Sequence, residues 1–166
     1  SSDLIIMAAS GETVSYAELD RRSNQVAQLL RARGIGIGDT VAICMENHPW
    51  FFCLTWGFQR SGVHYVGISS RLTPPEIAYI LEDSGAQLLI GSGYVGATLD
   101  EVARLAPAVP QLRFGSPGEL SAEAALAGGP MDAPEFMPAG STYLVRPADR
   151  PSYPSPRIVH RFRSEE

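Results

Sequence analysis

The stretch from Thr40 to Ile90 decides the fold and reads TVAICMENHPWFFCLTWGFQRSGVHYVGISSRLTPPEIAYILEDSGAQLLI. It contains three short apolar runs, at Thr40 to Met45, Val63 to Ile68 and Gln87 to Ile90. Each run has the length of one strand and few polar residues, as in strands that are covered on both faces. Helical segments separate the runs. The stretch therefore predicts an α/β fold with a mainly parallel sheet and flanking helices.

The two helices between these runs carry start and stop signals. Pro49 suits the first turn of a helix from Trp50 to Ser61, which Gly62 ends. The second helix begins at Thr73-Pro74-Pro75-Glu76, where a capping box is combined with a proline at the first position. Ser84-Gly85 ends it.

The pattern continues on both sides of this stretch. Upstream, two apolar runs around a turn at Ser10-Gly11 predict a β-hairpin. A helix from about Tyr16 to Arg33 follows, and Gly34 ends it in a left-handed cap. Downstream, a helix near Ala97 to Leu105 and a weak strand at Gln111 to Phe114 complete the regular pattern.

The composition changes after Ala106. Ten of the 13 prolines follow that residue. The residues from Ala139 to Glu166 are rich in Pro, Ser and Arg and have no apolar period, which predicts an unstructured tail. We therefore predict a folded part at residues 1–138 and a tail at residues 139–166.

Length and charge limit the classes of function. A chain of 166 residues with 45% apolar side chains is sufficient for one globular domain. Its net charge of −5 argues against nucleic-acid binding, which usually needs a basic face. No apolar run approaches the roughly 20 residues of a transmembrane helix, and the N-terminus lacks the order of a signal peptide. The expected location is the cytoplasm.

Few side chains are candidates for chemistry. Cys44 and Cys53 lie in apolar runs without a CxxC pattern, so we predict buried free thiols rather than a disulfide or a metal site. His48, His64 and His160 have no carboxylate or nucleophile near them in sequence that would give them a catalytic role. All 13 basic residues are arginine, and the chain has no lysine. We predict no catalytic, cofactor-binding or metal-binding residue in this chain.

The glycine run GIGIGD, with Gly34, Gly36 and Gly38, is interpreted as scaffold. It follows a helix, whereas a dinucleotide-binding G-x-G-x-x-G follows a strand and opens a helix. We predict that these glycines and Asp39 form a tight turn into the strand that begins at Thr40.

Residues Gly11 to Ile90 resemble the start of AMP-forming acyl-CoA synthetases of the adenylate-forming superfamily. The matching segments are TVSYAELDRRSNQVAQLLRARGIGIGDTVAICMENHPWF and GVHYVGISSRLTPPEIAYILEDSGAQLLI. They follow the family's TYAEL helix, GxxxGD-x-V turn and N-x-P-x-F helix start. The family's G-x-x-Y-V-P and L-x-x-x-E-x-x-Y-x-L-x-D-S motifs then appear in order. Each motif is weak alone and the ordered set is strong. Fatty-acid and other carboxylic-acid members fit better than the luciferase or peptide-synthetase branches.

The resemblance implies a partial N-terminal subdomain of the adenylate-forming ligase fold. The family reaction joins a carboxylate to AMP from ATP, releases pyrophosphate and transfers the acyl group to CoA, with Mg²⁺ as cofactor. It also implies a Ser/Thr/Gly-rich phosphate loop ending in lysine, due near residue 142. The chain instead reads GSTYLVRPADRPSYPSPRIV there. We expect the chain to bind none of these cofactors and to be inactive alone.

The resemblance also leaves alternatives open for several residues. Tyr65 and Val66 are expected to pack in the core rather than to line an acyl pocket, and Asn47 to cap the helix at Trp50 rather than to contact substrate. An aromatic group is expected to form core or an interdomain face rather than a hydrophobic channel. Its members are Trp50, Phe51, Phe52, Trp56 and Phe58.

The tail permits a frameshift hypothesis. Codons for Tyr143 to Pro151, read one nucleotide later, can encode Thr-Ser-Ser-Gly-Arg-Gln-Thr-Gly-Arg. That series is close to the family's S-S-G-T-T-G-R-P-K loop and occurs where the loop is due. Codon degeneracy also allows a coincidence, and the coding DNA decides between the two.

Three functions follow from the sequence. The chain is a truncated ligase that is inactive alone, or half of a split ligase that a separately encoded C-terminal ligase fragment completes. The third is a non-catalytic α/β interaction module whose open sheet edges and apolar face contact a partner.

Overall fold

A four-stranded parallel sheet is the centre of the structure, a computed structural model that describes residues 3–6, 11–127 and 129. The strand order is β4-β3-β5-β6, and β1 and β2 form a separate antiparallel hairpin. The elements, in chain order, are β1 (Asp3–Ile6), β2 (Thr13–Ser15), α1 (Tyr16–Ala32), β3 (Thr40–Cys44), α2 (Trp50–Ser61), β4 (His64–Ile68), α3 (Pro74–Ser84), β5 (Ala86–Ser92), α4 (Gly96–Leu105), β6 (Gln111–Phe114) and α5 (Ala122–Ala127). Short 3-10 turns precede α4 and α5, at Gly93–Val95 and Gly118–Leu120. The predicted α/β fold with a parallel sheet is confirmed.

Helices cover both faces of this sheet because the strand side chains alternate between them. Val41 and Ile43 of β3 pack with α1, α2 and α5 in one apolar cluster. Ala42 and Cys44 of the same strand pack with α3 and α4 in another. Both clusters are buried, so the strands need apolar residues at nearly every position. This explains why the strands read as continuous apolar runs in the sequence.

Capping bonds form at the starts of two helices, and the second of them is the capping box predicted above. The Glu18 N–H donates to Ser15 Oγ at 3.2 Å at the start of α1. At the start of α3, Glu76 Oε2 accepts from the Thr73 N–H at 2.8 Å and from the Thr73 hydroxyl at 2.7 Å. These bonds satisfy groups that the first helical turn leaves without partners.

The start of α2 differs from the prediction. Asn47 is exposed and does not cap the helix, because Pro49 is the N-cap residue and no side chain bonds to the helix from that position. Instead, the Trp50 N–H donates to His48 Nδ1 at 3.2 Å. The capping role predicted for Asn47 is therefore wrong, and the imidazole of the next residue provides the acceptor.

Some elements of the structure were not predicted, and some predictions concern residues that the structure does not describe. The sequence did not predict α5 or the two 3-10 turns. The predicted boundary at residue 138 and the tail at residues 139–166 lie outside the described residues, so both stay predictions. None of the described helices combines the length and the apolarity that a membrane span requires.

Candidate functional site

The carboxyl edge of the parallel sheet is the candidate site. β3 is the first strand of this sheet in the chain, and it lies between β4 and β5. In open α/β sheets, such a reversal of strand order leaves a crevice beyond the carboxyl ends of the strands, where ligands bind. Glu46 follows β3 and Ser92 ends β5, and the Ser92 hydroxyl donates to Glu46 Oε2. At the carboxyl ends of these two strands the structure thus places a buried serine bonded to a carboxylate.

An aromatic stack forms beside this crevice. Phe114, the last residue of β6, has its ring centroid 5.0 Å from that of His48 and 5.1 Å from that of Trp50. The Arg22 guanidinium lies 4.8 Å from the centroid of the Trp50 ring, in cation–π range. These groups pack on one another, and His48 Nδ1 is occupied by the start of α2. The stack thus joins α1, α2 and β6 and provides packing rather than a catalytic base.

The glycine run from Gly91 to Gly96, which sequence reasoning missed, has the G-x-G-x-x-G spacing and extends from the end of β5 to the first residue of α4. Its position directly after a predicted strand is the signal that could have found it. A Cβ at Gly91 would lie 2.3 Å from Leu99 Cδ1 and 3.0 Å from the Cys44 carbonyl oxygen. A Cβ at Gly93 would lie 3.3 Å from the Gly115 carbonyl oxygen. Packing between strands and helix therefore accounts for both glycines.

Charge also argues against a nucleotide at this run. The Glu46 carboxylate is bonded to Ser92, inside the run, and would repel a phosphate group placed there. Metal-bound ATP needs hard oxygen ligands for Mg²⁺ and cations for the phosphates. The described residues contain no group of three or more His, Cys, Asp or Glu that could hold a metal ion.

The predicted scaffold turn before β3 is confirmed. Gly34 and Gly38 have φ angles of 71° and 85°, which favour glycine. Asp39 Oδ2 accepts from the Gly36 N–H at 2.8 Å, and its Oδ1 accepts from Gln87 Nε2 at 2.6 Å. This turn lies at the amino edge of the sheet, opposite the crevice, and fixes β3 against the start of β5.

Both cysteines are buried free thiols, as predicted. Burial raises the pKa of the Cys44 thiol to about 11, and the nearby Glu46 carboxylate adds to the rise. Burial also raises the pKa of Cys53, although Arg22 partly opposes it. Because the thiolate is the nucleophilic form, neither cysteine is set up as a nucleophile at neutral pH.

The aromatic residues of α2 do not form a single cluster. Phe58 is fully buried against the sheet, and Trp50 stacks on Phe114. Phe52 and Trp56 are 49% and 44% exposed. One face of α2 thus belongs to the core and the opposite face is open.

Tyr65 is also exposed, so its predicted core position is wrong. Its side chain is 42% accessible, although its ring centroid lies 6.1 Å from that of Phe58. The physical reason is that β4 is the outer strand of the described sheet and has a neighbouring strand on one side only. Val66 faces the other way and packs, partly buried, on the α3 and α4 side, as expected.

Comparison with known proteins shows where this architecture occurs. Residues 1–146 match the family described as AMP-binding enzyme. The fatty acid–[acyl-carrier-protein] ligase ScoC of Streptomyces coeruleorubidus is 35% identical over 100 residues, which are 60% of this chain and 18% of that protein. The long-chain-fatty-acid–CoA ligase FadD13 of Mycobacterium tuberculosis is 36% identical over 89 residues, 54% of this chain and 18% of that protein.

One solved structure shows the same similarity at the level of the fold. The fatty acyl CoA synthetase of Mycobacterium tuberculosis superposes with a TM-score of 0.67 at 29% identity. The match covers 76% of this chain and 25% of the synthetase chain. The chain therefore spans about a fifth of the curated relatives it matches and a quarter of this structure.

Proposed function

The chain belongs to the AMP-binding enzyme family, and we propose that it supplies the first part of the adenylating domain of a fatty-acid–CoA ligase. Such a ligase joins a fatty-acid carboxylate to AMP from ATP, releases pyrophosphate and passes the acyl group to CoA. The observation that carries the proposal is the β4-β3-β5-β6 unit with its helices, which superposes on a fatty acyl CoA synthetase over 76% of this chain. The identity of 36% to a long-chain-fatty-acid–CoA ligase supports the same substrate class.

In this proposal the chain supplies scaffold, and the contacts to ATP, Mg²⁺ and CoA come from the rest of the ligase. Two observations support this division. The 166 residues contain no lysine to neutralise phosphate charge. The crevice at the carboxyl edge holds the Glu46 carboxylate, bonded to Ser92, where an anion would be repelled. The cytoplasmic location expected from the sequence is part of the same proposal, and cell fractionation tests it.

An ATP–pyrophosphate exchange assay on the isolated chain tests this division. With fatty acids of several chain lengths, we expect no exchange above the rate without protein. Intact FadD13 under the same conditions is the positive control. Fatty-acid-dependent exchange by the chain alone would overturn the proposal that its residues are scaffold.

A split ligase is the second candidate. The outer side of β4, where no described strand pairs, and the exposed aromatic side chains of α2 favour it, because both offer a surface to a second polypeptide. In this case a separately encoded C-terminal fragment completes the domain. Co-expression of the two polypeptides should give fatty acyl-AMP that neither forms alone. A monodisperse chain that no fragment activates would favour the interaction module instead.

The frameshift hypothesis is separate from these functional proposals, because it concerns the coding DNA. It rests on residues 143–151, whose shifted codons can encode a Ser/Gly/Thr-rich loop. These residues lie outside those that the structure describes. Sequencing the coding region decides it. A shifted frame without a ligase-like phosphate loop and lysine would eliminate the hypothesis.

A further inference from the structure

A groove of about 530 Å³ lies between α3 and the segment that follows α4. Tyr79 and Glu82, three positions apart on one face of α3, line one side of it. Residues 105–109 line the other side. They form a turn, in which the Val109 N–H donates to the Ala106 carbonyl at 3.1 Å. Both sides have defined backbone structure, so this cavity, the α3 groove, is preformed.

The lining of the α3 groove is apolar apart from one carboxylate. Tyr79 and Leu105, which are 66% and 51% exposed, line it together with two prolines and three alanines. Glu82 is the charged residue of this lining, and within the described part of the chain it enters no ion pair. Tyr16 of α1 and Trp56 of α2 are also exposed, but neither lines the groove. An exposed apolar cavity with an unpaired acid suits an apolar segment that carries a cation.

The chain itself contains such a segment. Residues 150–157 read RPSYPSPR and carry two arginines and no acidic residue. Proline-rich segments favour the polyproline II helix, which has three residues per turn and rises about 3.1 Å per residue. In that helix, Pro151, Pro154 and Arg157 would lie along one edge at intervals of about 9 Å. Proline-rich segments of this kind bind in grooves that are lined by aromatic side chains.

Charge favours the same pairing. α3 carries three acidic residues and no basic one, whereas residues 150–157 carry two positive charges. A guanidinium group matches a carboxylate well, because it can donate two parallel hydrogen bonds to it. With the prolines of the segment against Tyr79, the long side chain of Arg157 can reach Glu82.

The connection is long enough for the segment to reach the α3 groove. The last described residue, Gly129, donates its N–H to the Leu126 carbonyl of α5 at 3.1 Å. α5 packs on the α1 and α2 side of the sheet, opposite α3. The 20 residues from 130 to 149 can extend over about 65 Å. A folded unit of this size is about 35 Å across, so a path around its edge measures roughly 55 Å. The segment can therefore reach the groove of its own chain.

We propose that the α3 groove binds residues 150–157 of the same chain. The prolines pack on Tyr79, and Arg157 pairs with Glu82. Docking removes the exposed apolar surface of the groove from water. The entropy cost is limited, because proline restricts the backbone of the segment before it binds. The contact does not depend on ligase activity, and its tests need neither ATP nor a fatty acid.

A disulfide between groove and segment tests this contact in the full chain. Ala108→Cys is combined with Ser155→Cys, while the native Cys44 and Cys53 are buried. Ala124→Cys with Ser155→Cys is the matched control, because Ala124 is also exposed and lies closer to residue 155 along the chain. Under mild oxidation the groove pair should cross-link about tenfold faster or more, because docking raises the effective concentration. Without docking, the control pair would cross-link at least as fast, and that result would overturn the proposal.

Charge reversal tests the contact with Glu82. In the chain with the groove pair of cysteines, Glu82→Arg should slow cross-linking about two- to fivefold, the size of an exposed ion pair. Adding Arg157→Glu should restore the rate. Glu101→Arg is the control, because Glu101 is exposed on α4 and does not line the groove, and it should leave the rate unchanged. Equal slowing by Glu82→Arg and Glu101→Arg, or no restoration, would contradict the pairing.

A second readout needs no cysteine substitution. The rate at which tetranitromethane nitrates Tyr79, measured by mass spectrometry relative to the exposed tyrosine of α1, reports the accessibility of the groove. Pro154→Asp combined with Arg157→Glu should increase this ratio several-fold, because release of the segment uncovers the ring. Pro147→Asp combined with Arg146→Glu makes the same change of charge outside the segment and should leave the ratio unchanged. The same ratio in the unsubstituted chain and both variants would overturn the proposal.

The size of the cross-linked product identifies the occupant of the α3 groove. A cross-linked monomer, formed at a rate that is independent of protein concentration, supports the proposal. A dimer that forms faster at higher concentration would show that the groove takes the segment of a second copy, and would overturn it. Protection of Tyr79 from nitration only after addition of a synthetic RPSYPSPR peptide would show that the segment does not dock within its own chain, and would also overturn the proposal.

Discussion

At the scale of single residues, Gly57 sets the distance between α1 and α2. A Cβ at this position would lie 2.5 Å from Val26 Cβ and 2.9 Å from the Ser23 carbonyl oxygen. Neither group can move away easily, since both residues lie within α1 and are buried. Glycine at position 57 therefore allows the two helices to pack closely.

We expect Gly57→Ala to destabilise the chain by about 1–3 kcal/mol, because overpacking moves the helices apart. Urea denaturation followed by circular dichroism measures the change. Gly96→Ala is the control, because that glycine is also helical and its Cβ would meet no atom within 4 Å. The control should be neutral or stabilising by up to about 1 kcal/mol. The opposite ranking of the two variants would exclude helix spacing as the role of Gly57.

Arg113 joins β6 to α4 from a buried position. Its guanidinium donates to Gln111 Oε1 at 3.0 and 2.6 Å, to Asp100 Oδ1 at 2.7 Å and to the Gly96 carbonyl at 3.3 Å. Arg113→Met should cost about 2 kcal/mol, since it leaves buried acceptors without a donor. Asp100→Asn should cost less than about 1 kcal/mol, because the Asp100 side chain is 64% exposed. Similar losses for both variants in urea titrations would contradict this division of roles.

Cys44 makes the stability sensitive to alkaline pH. Its folded pKa of about 11 lies above the ordinary value of 9.0. Between these values the unfolded chain has lost the proton that the folded chain retains, so the free energy of unfolding falls as pH rises. Below pH 9 this contribution is fully present. We expect the loss between pH 9 and 11 to be smaller in Cys44→Ala, and equal slopes for the two proteins would show that this thiol is not responsible.

At the scale of elements, the capping box of α3 consists of Thr73 and Glu76, which hydrogen-bond to each other. The pKa of Glu76 is lowered by its hydrogen bonds from the Thr73 backbone and side chain. Its stabilising effect is therefore present above the ordinary Glu pKa and is lost as pH falls through the lowered value. Thr73→Ala should cost about 1 kcal/mol at neutral pH. Thr98→Ala, inside α4, should cost nothing measurable, and an equal cost would contradict a specific capping role.

Strand and helix positions in the centre of the chain were predictable because local signals agree there. β3 and β5 read as apolar runs since both of their faces are buried, and α3 has a capping box at its start and a left-handed glycine at its end. The start of α2 was not predictable in detail. An asparagine two residues before a proline resembles a cap, but Pro49 takes the N-cap position in a helical conformation.

α5 was missed because its stability comes from tertiary contacts. It has six residues, too few for a helix that is stable alone. Ala122 and Leu126 are buried in the cluster that α1 also lines, and Gln25 Nε2 donates to the Leu126 carbonyl at 3.4 Å. No pattern within AEAALA specifies these partners, which lie about a hundred residues earlier in the chain.

At the scale of the whole molecule, the family could be recognised from sequence, whereas the solvent exposure of individual side chains could not be predicted. The ordered motifs from Gly11 to Ile90 identify the fold because they encode its turns, caps and strands. Tyr65 was misplaced because its exposure follows from the edge position of β4 in the described sheet, which the apolar run VHYVGI does not specify. In the Gly91–Gly96 run, the spacing and the structure disagree. The spacing is that of a phosphate loop, but the contacts are those of packing.

One measurement tests most directly whether this chain is the first part of a fatty-acid–CoA ligase. ATP–pyrophosphate exchange is followed with a long-chain fatty acid, with the chain mixed with FadD13 lacking the matched segment and with each polypeptide alone. We predict exchange in the mixture and none with either polypeptide alone. Exchange by the chain alone, or its absence from the mixture while intact FadD13 is active, would contradict this account.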